Sequence, residues 1–486
     1  MKPIVQDTAD TTLARATLAG VTAHPELTGI YPLTDGRSAF ATRGLLVKAA
    51  QRTLDVQYYI WDDDISGNLL LEALLDAAQR GVRVRLLLDD NGIAGLDPAL
   101  AALDAHPNLE VRLYNPFKQR SFKPLGYLTD FRRLNRRMHN KSLTADNAAA
   151  VVGGRNVGDE YFGADKHVDF ADLDLLAVGR VVTEVSGIFE QYWNSESAYP
   201  LGAVVKLQGG DAAALLRARR VELGGEPAVR EYREALEKSA IVRELLSGEL
   251  PVEWVPTRVL ADDPAKTLAR GTSEADPRMM PRLRATVGAP TSRFDVVSPY
   301  FVPMASGTEA FAELARRGVQ VRVLTNSLSA TDVAAVHSGY AKRRKALLQA
   351  GVKLFELKAT GAPDAKFGDW VKQLGGSGAS LHAKTFAVDG KRAFVGTFNF
   401  DPRSAELNTE MGYVVESAIL AGRIHQGFES TVPHVAYEVR LSADGGLQWV
   451  DHSGNAEQIF ATEPNTSLLK RLVVRALSWL PIDSLL

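Results

Sequence analysis

The sequence repeats itself at long range, and that repetition limits the possible folds more than any other feature. Asp55-Val56-Gln57-Tyr58-Tyr59-Ile60 is a strand-like run, followed by helix-like Leu69 to Arg80 and then Gly81-Val82-Arg83-Val84-Arg85-Leu86-Leu87-Leu88. In the second half Asp295-Val296-Val297-Ser298-Pro299-Tyr300 precedes helix-like Glu309 to Arg317 and Gly318-Val319-Gln320-Val321-Arg322-Val323-Leu324. Both are strand, helix, strand patterns in which the glycine can end the helix and a Val/Leu-rich run enters a buried parallel strand. Matching positions are offset by about 240 residues, so a whole domain is duplicated. A chain of 486 residues gives each copy enough length for a core of its own.

Each copy carries the same motif at the same place. His139-Asn140-Lys141-Ser142-Leu143-Thr144-Ala145-Asp146 and His382-Ala383-Lys384-Thr385-Phe386-Ala387-Val388-Asp389 both read H-x-K-x-x-x-x-D. The spacing predicts strands over Met138 to Thr144 and Ser380 to Val388. Residues two apart on a strand share a face, so each His and Lys project together. A turn at Asp146 or Asp389 and a second apolar run complete a hairpin, closed by Gly153-Gly154-Arg155-Asn156 or Gly396-Thr397-Phe398-Asn399. Asp146 and Asp389 complete the catalytic motifs but are expected to brace the turns rather than touch substrate.

These residue types suit a phosphodiester. Its non-bridging oxygens need cations and donors, its phosphorus needs a nucleophile in line with the leaving oxygen, and that oxygen needs an acid. Two His, two Lys and the amides Asn156 and Asn399 supply all of these, so no metal and no cofactor is expected. One imidazole attacks phosphorus to give a phosphohistidine; the other protonates the leaving alcohol and deprotonates the incoming one. Lys141, Lys384, Asn156 and Asn399 hold the phosphate oxygens.

These motifs resemble the phospholipase D superfamily. Leu54 to Trp61, Gly81 to Gly92, Met138 to Asp159, Ala330 to Gly351 and Ser380 to Glu410 further resemble bacterial cardiolipin synthases of the C type. The resemblance covers nearly the whole chain. It implies an α/β fold of two duplicated phospholipase D-type sandwich domains, with mixed, largely parallel sheets flanked by helices and the active site at the domain interface. It also implies that His139 is the nucleophile, that His382 is the acid and base, and that a carboxylate hydrogen-bonds the far nitrogen of each. Glu410, on a strand downstream of His382, and Asp174, on the equivalent strand of the first half, are the candidates, with Asp172 the runner-up to Asp174. The implied activity is phosphatidyl transfer to phosphatidylglycerol, making cardiolipin, with phosphatidylethanolamine or phosphatidylglycerol as donor. A phospholipase D releasing phosphatidic acid is the alternative, and a nuclease a more distant one.

The division expected is an N-terminal extension over 1–35, a first domain over 36–200, a helical, proline-interrupted connection over 201–290, a second domain over 291–460 and an amphipathic C-terminal segment over 464–486. The chain has no cysteine, which excludes disulfides, thiolate metal sites and cysteine nucleophiles. Met1 to Gly20 lacks a signal-peptide pattern and no apolar run is long enough to span a bilayer. Either the protein is cytoplasmic or a leader was removed before this numbering began; with the resemblance, the expectation is a peripheral protein on the bacterial inner membrane, on its cytoplasmic face.

Two segments point to a membrane surface. Lys118, Arg120, Lys123, Arg132, Arg133, Arg136, Arg137 and Lys141 face only Asp130 in their stretch of sequence and run into the first motif, as a collar attracting anionic headgroups would. From Leu468 to Leu480 a helical wheel puts Leu468, Leu469, Leu472, Val473, Ala476, Leu477, Trp479 and Leu480 on one side and Lys470, Arg471, Val474, Arg475 and Ser478 on the other, with Pro481 and the apolar tail Ile482 to Leu486 following. The amphipathic C-terminus speaks against nucleic acid, which is not an expected partner; a small accessory protein is left open. His337 is expected to position its loop, Lys342-Arg343-Arg344-Lys345 to lie on a helix surface, and Asp62-Asp63-Asp64 to be a solvated loop.

Overall fold

The computed structural model describes residues 8–120, 122–163, 169–206, 210–268, 278–331, 333–359 and 379–479; Pro481 and the tail from Ile482 lie outside the described residues. Two compact units are present. The first comprises Met1–Asp165, Asp174–Met279 and Leu407–Tyr413, and the second Lys166–Leu173, Met280–Glu406 and Val414–Leu486. Each unit therefore contains a short segment from the other half of the sequence.

The strands of the first half are β1 (Thr28–Leu33), β2 (Thr53–Ile60), β3 (Arg83–Gly92), β4 (Leu109–Tyr114), β5 (Ser142–Ala145), β6 (Ala149–Gly153), β7 (Asp169–Ala171), β8 (Asp174–Gly179), β9 (Ala198–Pro200), β10 (Glu253–Val255) and β11 (Thr257–Ala261). In the first unit nine of them form one sheet in the order β10-β1-β8-β6-β5-β2-β3-β4-β9. Only β2-β3 and β3-β4 are parallel; the hairpin strands β5 and β6 and their neighbours pair antiparallel. The sheet is mixed as expected, but its parallel share is smaller. The strand-helix-strand units make the parallel pairs, and every motif hairpin adds antiparallel ones.

The second half supplies β12 (Arg293–Val297), β13 (Gln320–Asn326), β14 (Lys353–Leu357), β15 (Ala379–Leu381), β16 (Lys384–Val388), β17 (Arg392–Gly396), β18 (Met411–Val415), β19 (Ala436–Leu441), β20 (Leu447–Asp451) and β21 (Gln458–Phe460). The sheet of the second unit repeats the plan. β12, β13 and β14 are parallel neighbours, and the hairpin β16-β17 adds to β12 antiparallel.

The duplication extends to buried charge. On β2 and β3, Asp55 lies opposite Arg85 and accepts from Nε at 2.7 Å and from the guanidinium nitrogen at 2.8 Å. On β12 and β13, Asp295 and Arg322 repeat the fork, with Nε at 2.7 Å. A planar guanidinium meets a carboxylate at two points, which fixes strand register inside an otherwise apolar sheet.

The expected connection over 201–290 is not a separate layer. Helix Ala212–Glu222 packs on Ile65–Gln79, Gly225–Lys238 on Gly36–Ala49 and Ile241–Ser247 on Thr12–Ala23, all within the first unit. Their apolar stripes need a partner surface, and the first sheet's helices offer it. The acidic run is likewise structured: Asp64 caps helix Ile65–Gln79 by accepting from the Gly67 amide, and Asp63 pairs with Arg219. Burial beside Asp64, Glu160 and Asp159 pushes the Asp62 carboxyl up to about 7.

Candidate active site

Each motif hairpin is set by its aspartate. Asp146 and Asn147 both lie at positive φ, and Ala148 donates its N–H to the Ala145 carbonyl, closing a tight turn between β5 and β6. Asp389 and Gly390 repeat this between β16 and β17. Such turns match the twist of a hairpin and demand left-handed residues, which Asp, Asn and Gly tolerate. The carboxylates then reach the neighbouring strand. Asp146 accepts from the amides of Gln51, Arg52 and Thr53, and Asp389 from those of Thr291, Ser292 and Arg293. Burial would raise the Asp389 carboxyl, but the three amides outweigh it and hold it well below the usual carboxylate range. Both aspartates brace turns.

In the first unit, His139 and Lys141 lie just before β5 and not inside it, because the strand begins at Ser142. The His139 N–H donates at 2.9 Å to the carbonyl of Thr409, and Met138 bridges Thr409, so the residues before β5 pair with the segment Leu407–Tyr413 instead of their own sheet. That pairing brings Glu410 to the imidazole: Nδ1 lies 2.8 Å from Oε2, and both groups are buried. Glu410 is itself held by Asp262, whose carboxylate accepts from the Glu410 amide at 2.7 Å. Burial, partly offset by Lys266, raises the Asp262 carboxyl to about 6. Lys141 donates through Nζ to the His139 carbonyl at 2.7 Å and lies over the Tyr59 ring, which meets the His139 ring edge-on.

The second unit builds the same arrangement from different neighbours. His382 and Ala383 both donate N–H to the Ala171 carbonyl, and β15 pairs parallel with β7. Asp172, immediately after β7, lies 2.6 Å from His382 Nδ1. Lys384 bonds the His382 carbonyl, and Phe170 lies against the imidazole at 5.2 Å between centroids. A carboxylate can only accept, so in each half-site Nδ1 keeps its proton, and the state of Nε2, a lone pair for attack or a second proton for acid catalysis, sets what the imidazole can do.

Two sequence expectations are thereby corrected. Glu410 serves His139 and not His382, and Asp174 serves neither histidine. Asp174, on β8, is fully buried between Arg43, whose guanidinium donates at 2.9 Å, and Arg155 at 3.2 Å. It lies against Gly153, where a Cβ would come within 2.1 Å of its Oδ1, which accounts for the glycine in the first G-x-x-N turn. Asp172, the runner-up, carries the histidine contact, but to His382.

The asparagines differ. Asn156 is committed to structure: its Oδ1 accepts from the Ile60 amide at 3.2 Å, and its Nδ2 donates to the Tyr161 hydroxyl at 2.9 Å. Asn399 is buried, with a side-chain oxygen that has no hydrogen-bond partner among the described residues.

The basic run before His139 is mostly neutralised and does not form the open collar expected. Arg120 and Lys123 bond Asp90, Arg120 also Asp97, Arg133 bonds Asp130, and buried Arg137 bonds Asp89. Asp89 and Asp90 lie on β3, remote in sequence. Lys342-Arg343-Arg344-Lys345 is also more than a surface: Arg344 is buried and pairs with Glu356 and Glu463. His337, buried beside it, bonds Glu463 at 3.2 Å, and burial and Arg344 lower its pKa. Glu463 lies just before the C-terminal helix, so these groups fasten that helix in place.

Helix Leu468–Ser478, capped by Ser467, packs against helix Ala334–Ala341 with Val474 inward. Leu468, Leu469, Leu472, Val473 and Trp479 face outward. Among the described residues no helix is long and apolar enough to cross a membrane.

Comparison with known proteins bears on the duplication and the family. A family model described as "Cardiolipin synthase, PLD-like domain" matches residues 45–193 and again 283–432, each match containing one motif. Cardiolipin synthase C of Escherichia coli strain K12 is 48% identical over 478 residues, covering 98% of this chain and 99% of that protein. A cardiolipin synthase of Geobacillus kaustophilus is 27% identical over 382 residues, covering 78% of this chain and 61% of that protein. Among solved structures, a phosphatidylserine synthase of Haemophilus influenzae Rd KW20 shares the fold with a TM-score of 0.59 at 12% identity, covering 97% of this chain and all of that one. With a family model matched twice and a relative nearly half identical end to end, the chain belongs to the cardiolipin synthase, PLD-like domain family of the phospholipase D superfamily.

Proposed function

We propose that this protein is a cardiolipin synthase that transfers a phosphatidyl group between phospholipids through a phosphohistidine. The observation that carries the proposal is the pair of half-sites, in each of which a buried imidazole is bonded through Nδ1 to a carboxylate and has a motif lysine beside it. One such unit could be a structural histidine. Two are what a displacement with retention needs, since one nitrogen must attack while another manages the proton. The end-to-end likeness to cardiolipin synthase C supports phospholipid as the diester.

In the proposed cycle, neutral His139 attacks the phosphorus of the donor phospholipid through Nε2 while His382, entering as the imidazolium, gives its Nε2 proton to the departing headgroup oxygen and is left neutral. The phosphatidyl group is then on His139. The headgroup hydroxyl of phosphatidylglycerol gives its proton to His382 and attacks, the P–N bond breaks, and cardiolipin leaves with both histidines restored. Glu410 and Asp172 stabilise each imidazole when it carries positive charge, and Lys141, Lys384 and Asn399 are assigned to the phosphate oxygens.

The same reading places the protein at a bilayer surface, on the cytoplasmic side. It is supported by the outward apolar face of helix Leu468–Ser478 together with Lys470, Arg471 and Arg475, a composition suited to lying in an anionic interface. Incubation with labelled phosphatidylglycerol, with and without phosphatidylethanolamine, tests the function. Cardiolipin plus free headgroup alcohol is expected; phosphatidic acid as the sole product would show that water is the acceptor.

A further inference from the structure

Neutralisation of the basic run leaves a different feature in view. Helix Pro124–Leu134, kinked at Asp130, leads into the first motif, and residues at a three-residue spacing along it and just before it are apolar and solvent-exposed: Phe122, Leu125, Leu128 and Phe131. Leu128 is 83% exposed. Scattered exposed apolar residues need no explanation, but four within one short segment, including two aromatic rings, leave a surface that water does not favour.

Other side chains of this helix fasten it beside the catalytic imidazole. Gly126 packs so closely on Phe117 and Leu134 that a Cβ there would lie within 3.1 Å of each. The Tyr127 hydroxyl donates to Asn91 Oδ1 at 2.9 Å, Asn91 Nδ2 donates to the Tyr59 hydroxyl at 3.3 Å, and Tyr59 stands edge-on to His139. The apolar segment is thus on the rim of the first half-site. Around it, Lys118 is 87% exposed and Arg132 is exposed as well. Apolar side chains flanked by exposed cations complement an anionic lipid interface, where acyl chains meet the former and phosphates the latter.

We propose that Phe122, Leu125, Leu128 and Phe131 form a lip that enters the bilayer at the mouth of the His139 half-site and delivers the donor lipid to it. The occupant is the acyl region of an anionic bilayer. The inference rests on the proposed function only in taking phospholipid as substrate. It accounts for the position of the segment: a lipid's scissile phosphate lies at the level of its headgroup, so a nucleophile inside a protein can reach it only if the adjoining surface settles into the membrane.

The absence of cysteine permits a direct test on the full chain. Leu128→Cys carrying a polarity-sensitive dye should shift its emission to the blue on vesicles of equal parts phosphatidylglycerol and phosphatidylcholine, and be quenched by a bilayer-embedded quencher. The same dye at Arg217→Cys, on helix Ala212–Glu222, should do neither. Absence of both responses at position 128 would overturn the lip. In parallel, Leu128→Glu and Phe131→Glu should lower the ratio of turnover on vesicles to turnover of soluble bis-para-nitrophenyl phosphate by about tenfold or more each. An unmoved ratio with the soluble-substrate rate intact would overturn the proposal too; where misfolding lowers both rates together, the dye response at position 128 decides. If wild type makes no cardiolipin, the synthase reading fails, while the dye response still decides the lip.

Discussion

The two half-sites share a motif, a turn and a tautomer, and differ in everything that surrounds them. His139 is backed by Glu410, flanked by Tyr59 and joined through Asn91 and Tyr127 to an exposed apolar helix. His382 is backed by the shorter Asp172 and flanked by Phe170. Duplication supplies two equivalent imidazoles, but the proposed reaction needs one nucleophile and one proton carrier. The surroundings are where equivalence ends, and each difference can be tested.

The largest effect is expected at the histidines. His139→Ala and His382→Ala should each lower phosphatidyl transfer by more than about 10⁴-fold, since neither nitrogen has a substitute. The two variants should fail differently. With an activated nitrophenyl ester, whose leaving group needs no proton, His382→Ala should still form the covalent adduct and accumulate it on His139. Rapid quenching and mass spectrometry of the modified peptide checks this, and adduct on His382 in the His139→Ala variant would reverse the assignment.

Next come the carboxylates. Glu410→Gln and Asp172→Asn should each cost about 10²- to 10⁴-fold, through loss of the held tautomer and of the charge that stabilises the imidazolium. Asp172 acts through the proton carrier, so its loss should be much smaller for a nitrophenyl ester than for an alkyl headgroup. Glu410 acts through the nucleophile, so its loss should be similar for both. Matching leaving-group dependence in the two variants would erase the distinction drawn between the half-sites.

The motifs and hairpins were legible in the sequence because they depend on local rules: strand periodicity, left-handed Asp and Gly at turns, and a repeat that makes each copy confirm the other. The carboxylates were not. The likeness of β8 and β18 in the two halves placed Asp174 and Glu410 at equivalent positions, but Leu407–Tyr413 groups with the first unit and Lys166–Leu173 with the second. A histidine's partner is then chosen by a tertiary exchange that no spacing records. Asp174 is taken instead by Arg43 and Arg155, one of them within the G-x-x-N turn itself, and that arginine was the available signal. The basic run misled for a similar reason: its counter-charges Asp89 and Asp90 end a strand far upstream. In the same way, a helical wheel shows that Leu468–Ser478 has two faces but cannot say which one packs.

The smallest contrast, and the one that best separates structure from chemistry, is between Asn156 and Asn399. Sequence treats them alike, as the amides that close two G-x-x-N turns. Asn156 satisfies the amide of Ile60 at the end of β2 and the hydroxyl of Tyr161. Asn156→Ala leaves two buried groups without partners, so it should lower unfolding free energy by about 1–3 kcal/mol. Asn399 spends its side-chain oxygen on no group among the described residues, so Asn399→Ala should remove little that holds the fold together. Its assigned task is to donate through Nδ2 to a phosphate oxygen, and its loss should lower kcat/KM by about tenfold with hardly any change in melting temperature. Thermal melts and steady-state kinetics on both variants check the pair. If Asn156→Ala melts like wild type, or if Asn399→Ala loses stability in proportion to activity, the two amides are as alike as the sequence makes them, and the asymmetry of the half-sites does not extend to phosphate binding.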